Sequence, residues 1–97
     1  MIVRLGEHEF DDVCFDAERD VLYMHKGKPV VAGMTLPSPE GHAVRFDDAG
    51  EIIGITVINA RWLAERYGRV TVTIPDMAPQ VGCLETSAED LAPALAA

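Results

Sequence analysis

Apolar and polar residues alternate with a period of two along most of this chain. The clearest case is VRFDDAGEIIGITVINA, residues 44–60. It reads as a β-hairpin. His42, Val44 and Phe46 share one face of a first strand, and residues 51–58 form the return strand. On that strand Ile53, Ile55 and Val57 make one face, and Ile52, Gly54, Thr56 and Ile58 make the other. Such a run of β-branched residues fits a pleated surface better than a helix. Asp47, Asp48, Ala49 and Gly50 suit a type I turn, with glycine supplying the positive φ that closes a tight hairpin. A return strand apolar on both faces is expected at the centre of a sheet.

Other segments read as partners for this hairpin. Residues 2–5 form a short apolar run and residues 6–9 a polar turn. Val13 and Phe15 alternate with Asp12, Cys14 and Asp16, and residues 16–20 are polar enough for a hairpin loop. Val21, Tyr23 and His25 then share one face, and Leu22, Met24 and Lys26 the other. Both faces carry bulk, so this strand is expected to be central or covered on both sides. Residues 27–29 break it, residues 30–36 form a third apolar run, and the prolines and glycine of residues 37–41 make a loop.

Residues 60–67, ARWLAERY, predict a short helix with Asn59 as N-cap and Gly68 as the glycine that ends it. Two turns are unstable alone, so this helix must pack on the sheet, with Trp62 and Leu63 as the expected anchors. Residues 70–74 alternate again, with Val70, Val72 and Ile74 inward and Thr71 and Thr73 outward, and Pro75 stops the strand. Residues 77–97 differ in kind, being rich in Ala, Pro and acid. Ser87 can cap a short helix, but Pro93 is expected to interrupt it, so a mobile tail or a short docked helix is predicted. The expected fold is α+β, mainly β. It is a small antiparallel sheet of hairpins, about five to six strands, with one short helix near residues 60–67 packed on it. The expected division is a β-rich domain over residues 1–76 and an acidic tail over 77–97.

Composition narrows the class. With 97 residues, 48% hydrophobic and 25% charged, the chain is one ordinary globular domain. Its net charge is −8, from 8 basic and 16 acidic residues. That argues against nucleic acid, whose binding depends on clustered Lys and Arg, and against anionic membrane. A basic protein partner is compatible with it. No apolar run approaches the ~18 residues that span a bilayer, and the first residues do not resemble a signal peptide. Cys14 and Cys83 lack metal or disulfide spacing and read as reduced thiols, Cys14 as a small core residue and Cys83 in a loop. A cytoplasmic setting is the expectation.

Candidate chemistry is sparse. His8, His25 and His42 lie in separate segments without the spacing of a metal site. Asp16, Glu18 and Asp20 alternate like some calcium ligands, but the glycine and distal glutamate of such a loop are missing. Ser38 and Ser87 have no neighbouring histidine. No catalytic residue, metal or cofactor is expected. Asp16, Asp20, Asp47, Asp48 and Gly50 read as turn formers.

Two segments carry a family resemblance. Residues 15–24, FDAERDVLYM, and residues 46–55, FDDAGEIIGI, resemble the two signatures of a group of small prokaryotic proteins, the domain of unknown function 2283. The resemblance covers about residues 13–60. It implies a small β-rich cytoplasmic domain and no established activity, hence no catalytic residues. Some members are encoded beside small toxin-like proteins, which implies an antitoxin-like role toward a basic toxin. Thr56 and Asn59 depart from the pattern, which has acids there. The function expected from the residues is a non-enzymatic interaction or self-assembly module, most simply a homodimer, with Tyr23, His25, Trp62 and Tyr67 as the candidate surface. The rival expectation is a small-molecule or metal-binding protein with Tyr23, His25 and hairpin acids around a pocket.

Overall fold

A computed structural model describes residues 1–27, 33–75 and 81–96. Along them run β1 (Val3–Leu5), β2 (His8–Phe10), β3 (Asp12–Asp16), β4 (Val21–His25), β5 (Met34–Pro37), β6 (Ala43–Phe46), β7 (Ile52–Ile58), α1 (Ala60–Tyr67), β8 (Arg69–Thr73), β9 (Cys83–Ser87) and α2 (Ala88–Leu95). The expected class, α+β and mainly β, is the observed one. Five strands form an antiparallel sheet in the order β3-β4-β7-β6-β5, with β7 central as its two apolar faces predict. Two further hairpins, β1-β2 and β8-β9, stand apart from this sheet. The expected run at residues 30–36 is described only from Gly33 onward, and its first three residues lie outside the described ones.

Register assigns the faces. Val13 and Phe15 on β3 pair with Met24 and Leu22 on β4, which pair with Ile55 and Val57 on β7. Val44 of β6 meets Ile55, and Phe46 meets Ile52. The register shifts between Arg45 and Phe46, so that Gly54 and then Ile52 are paired and Ile53 is skipped. This bulge turns Ile52 into the core, where sequence alternation alone had put Ile53.

A second layer covers this inner face. Val3, Leu5 and Phe10 from the first hairpin, Ala60 and Ala64 from α1, Val70, Val72 and Leu84 from the β8-β9 hairpin, and Leu91, Ala94 and Leu95 from α2 join the sheet in one core cluster. Residues 83–96 are therefore no mobile tail; of the two expectations for this stretch the short docked helix is the one observed, over Ala88–Leu95. Cys83 lies in a strand and not a loop, β9 pairs along β8, and Ser87 caps α2 by accepting from the Asp90 N–H at 3.1 Å. Pro93 sits inside α2 without ending it. The missing N–H removes one helical bond, and burial of Leu91, Ala94 and Leu95 outweighs it, each full leucine burial being worth about 1.5–3 kcal/mol.

The start of α1 also departs from expectation. Asn59 occupies the N-cap position at φ 60° but makes no side-chain cap bond. Asp20, in the β3-β4 loop at φ 55°, does the capping instead. Its carboxylate accepts from the N–H groups of Arg61 at 2.7 Å and Trp62 at 3.0 Å, and its carbonyl accepts from Ala60 N–H at 3.1 Å. The expected anchors are reversed as well. Ala60 and Ala64 are the buried residues of α1, Leu63 is half-buried, and Trp62 is 54% exposed. Small side chains let the short helix lie close to its neighbours, and the large ring is turned out. Gly68 ends the helix at φ 73°, its N–H donating to Ala64 O, as its position predicts.

Asp20→Ala is expected to destabilise the fold by about 0.5–2 kcal/mol, the usual cost of a lost cap. Asn59→Gly should leave stability within a few tenths, because glycine adopts φ 60° without strain. Urea unfolding of both variants checks this. Equal losses for the two would mean that Asn59 contributes as much as Asp20 to holding the helix start.

Candidate functional site

The other face of the sheet is open. Pleating turns Asp12, Cys14 and Asp16 of β3 outward, together with Tyr23 and His25 of β4, Thr56 and Ile58 of β7, and Ala43 and Arg45 of β6. Among the described residues no element packs over this face, and Tyr23 is 47% exposed there. β4 is thus covered on one side only, and Cys14 is exposed rather than a core residue.

Cross-strand pairing lines these side chains up. One row runs Asp12, His25, Gly54, Arg45 and Thr35, and the next Cys14, Tyr23, Thr56, Ala43 and Pro37. All of them but Pro37 line a trough of about 300 Å³. Gly54 lies in this trough for a physical reason. A Cβ on Gly54 would stand 2.9 Å from Cδ2 of His25 and 3.2 Å from the Met24 carbonyl. The imidazole occupies the room that a side chain would need.

His25 is held by one bond. Its Nδ1 lies 3.2 Å from the Gly27 carbonyl, which can only accept, so in the neutral ring Nδ1 carries the proton and Nε2 the lone pair. That Nε2 is shielded from solvent and has no partner among the described residues. Cys14 pairs with Tyr23 and not with His25, so the register does not set a thiol directly against a base. Among the described residues no three of His, Cys, Asp or Glu come together as a metal site. The trough can accept and donate hydrogen bonds, and it offers the Tyr23 ring as apolar surface.

The four residues expected to form a single surface do not do so. Tyr23 and His25 belong to the trough, whereas Trp62 and Tyr67 stand on α1 in the second layer, their rings edge to face at 6.0 Å. Asp12 is the acid that lines the trough; the acids of the hairpin turns are elsewhere. Asp16 pairs with Arg19 at 2.9 Å, and hydrogen bonds from the Arg19 side chain and N–H hold its carboxyl below the usual range. Asp47 accepts from Ala49 and Glu51 N–H at 2.9 Å each, and Gly50 closes the turn at φ 82°. Asp48 is exposed beside it.

The histidines are not alike. His8 Nδ1 lies 2.8 Å from Lys26 Nζ, and burial together with that ammonium lowers its pKa. His42 is only 2% exposed, and its Nδ1 accepts from Ile58 N–H at 3.0 Å. The proton of the neutral ring therefore sits on Nε2, which has no partner among the described residues. Reading His42 as a scattered histidine missed this, although its alternation with Val44 and Phe46 marked it as inward-facing. Burial lowers its pKa, with Glu40 opposing.

Comparison with family models, with curated proteins and with solved structures found no match to this chain. The resemblance to the domain of unknown function 2283 accordingly rests on its two segments. Among the described residues no helix is long and apolar enough to cross a membrane.

His42 predicts a pH dependence. With its folded-state pKa below the usual 6.5, the unfolded chain takes up the proton first. Its stabilising share is present above about pH 6.5 and is lost as pH falls through the folded-state value. His42→Asn keeps an acceptor near Nδ1 and cannot be protonated. Denaturant midpoints measured between pH 5 and 8 should be flatter for this variant, with only the His8 share of the slope remaining. An unchanged slope would exclude His42 as its source.

Gly54→Ala should cost about 1–3 kcal/mol, the usual range for overpacking. His25→Ala in the same chain should recover most of the loss. A double-mutant cycle in thermal unfolding measures the coupling, and additive losses would mean that His25 does not sit over Gly54.

Proposed function

We propose that the chain is a non-enzymatic self-association module, and that a second copy packs on the open face of the five-stranded sheet. The observation that carries this reading is charge. The outward side chains of the described strands include two carboxylates, Asp12 and Asp16, and one guanidinium, Arg45. The chain as a whole carries −8. Copies of so acidic a protein repel over most of their surface, and the near balance of charge on this face lets them meet there at low electrostatic cost. It also presents Tyr23 and Ile58, two of the large exposed hydrophobic residues. A basic partner of the toxin kind needs carboxylates gathered on one surface, and this face does not gather them. Cys14 and Cys83, both free and exposed, fit a reducing cytoplasmic setting.

Size sets the strength. Five strands about 4.8 Å apart and about five residues long give a face of roughly 24 by 16 Å, or about 400 Å². That is about half of the ~800 Å² per partner in a stable interface. The dimer is accordingly weak and concentration-dependent. A small ligand in the trough is the second reading, favoured by the unpartnered Nε2 of His25 and by a volume at the lower end for ligand sites.

Sedimentation equilibrium from micromolar to millimolar concentration should give a monomer–dimer equilibrium. Thr56→Glu, at the centre of the face and pointing outward, should abolish it while stability stays within about 0.5 kcal/mol. A wild-type monomer over the whole range would end the self-association reading, as would undiminished association of Thr56→Glu. A thermal-shift screen on the monomeric variant then tests the ligand reading.

A further inference from the structure

We infer that the second copy seats on the open sheet face with its two-fold axis along β7, so that each Arg45 meets the partner's Asp12 and each Tyr23 meets the partner's Ala43. This rests on the self-association reading and deepens it, because it fixes which residues touch.

The first observation is symmetry. Two identical chains use the same patch, so a residue on the two-fold axis meets itself. Separate sheets packed face to face keep their strands within about 30° of each other. The axis therefore runs either along the strands or across them. β7 is the middle strand, with β4 and β3 on one side and β6 and β5 on the other. An axis along β7 lays one face fully over the other and reverses the strand order. β3 then lies over the partner's β5, and β4 over the partner's β6. The residues that meet themselves are the outward positions of β7, Gly54, Thr56 and Ile58, and none of them is charged.

The second is size. Cross-strand pairing puts Tyr23 and Ala43 on opposite sides of Thr56 in one row. Reversing the order sets Tyr23 against the partner's Ala43, and the same contact recurs on the other side of the axis. The Tyr23 side chain is 47% exposed. Ala43, Gly54 and Thr56, which line the trough of about 300 Å³, carry little side chain. A bulky ring thus meets a small residue at both places, as close packing requires.

The third is charge. In the neighbouring row Asp12 stands two strands to one side of Gly54, and Arg45 one strand to the other. Within one chain they are three strand spacings apart, roughly 14 Å. Reversal brings Arg45 over the partner's His25 and within one spacing, about 4.8 Å sideways, of the partner's Asp12. A guanidinium has five N–H groups, so a contact within its own chain leaves donors for the partner.

An axis across the strands does the opposite, because it sets each strand on its own copy. The β3 acids Asp12 and Asp16 would lie against the same acids of the second β3. Arg45 would lie near the partner's Arg45, and Tyr23 would press on the partner's Tyr23 or the partner's His25. Like charges and bulky rings would coincide.

Sedimentation equilibrium of charge-reversed chains tests the arrangement, with thermal unfolding to show that each variant is folded. Asp12→Arg and Arg45→Asp should each weaken the dimer by about five- to tenfold, because each puts like charges together at two symmetric places. An equimolar mixture of the two should regain wild-type association, since a mixed dimer has opposite charges at both places. A short bis-maleimide should cross-link Thr56→Cys in a chain that also carries Cys14→Ser and Cys83→Ser. It should not join chains carrying Cys83→Ser alone, because the two copies of Cys14 stand four strand spacings apart, about 19 Å. A dimer that Thr56→Glu abolishes, but that Asp12→Arg leaves unmoved or strengthens, overturns this axis and spares the self-association reading. So does a mixture that fails to recover, a cross-link through Cys14, or a dimer that Thr56→Cys does not cross-link. A wild-type monomer at every concentration overturns both.

Discussion

Burial of one face of the five-stranded sheet is the constraint on which everything else depends. Leu22, Met24, Val44, Phe46, Ile55 and Val57 must leave water together, because pleating puts them on the same side. A sheet cannot cover itself. Two hairpins and two short helices supply the cover, none of them long enough to be stable alone. Each exists because the sheet face needs it, and the sheet persists because they cover it. That mutual dependence explains why α2, with a proline inside it, is a helix at all.

The joint between the layers is made by Asp20. A carboxylate from the β3-β4 loop caps a helix that starts 40 positions later, so the loop and the helix fix each other's place. The cap and the two buried alanines set how α1 lies. Once Ala60 and Ala64 face inward, helical geometry sends Trp62 toward solvent, whereas Tyr67, seven positions after Ala60, starts from the inward side and is exposed at the helix end.

The molecule thus presents two unlike surfaces. The sheet face is a shallow trough, low in charge, with a histidine seated over a glycine. The helix α1 presents the Trp62–Tyr67 ring pair. A self-association reading suits the first, because the rest of so acidic a chain repels its copies.

Local pattern determined much of this by itself. The alternation of Val44 with Phe46 and of Ile55 with Val57, the turn acids, the helix with Gly68 at its end and the inward valines of β8 depend on neighbours two to four positions away, so the chain alone specifies them. It also specified that Tyr23 and His25 share a face. Only the tertiary structure decided which face would be covered. Residues 83–96 look like a tail because alanine and acid are frequent in them and Pro93 threatens the helix, yet Leu84, Leu91 and Leu95 have a sheet to pack on. Trp62 looked like an anchor because hydrophobicity ranks it first, but close packing favoured alanine. Asp20 became a cap, and His42 a buried ring bonded to Ile58 N–H, through partners far away in sequence. Contacts of that range depend on the packing of the whole chain, and no local period encodes them.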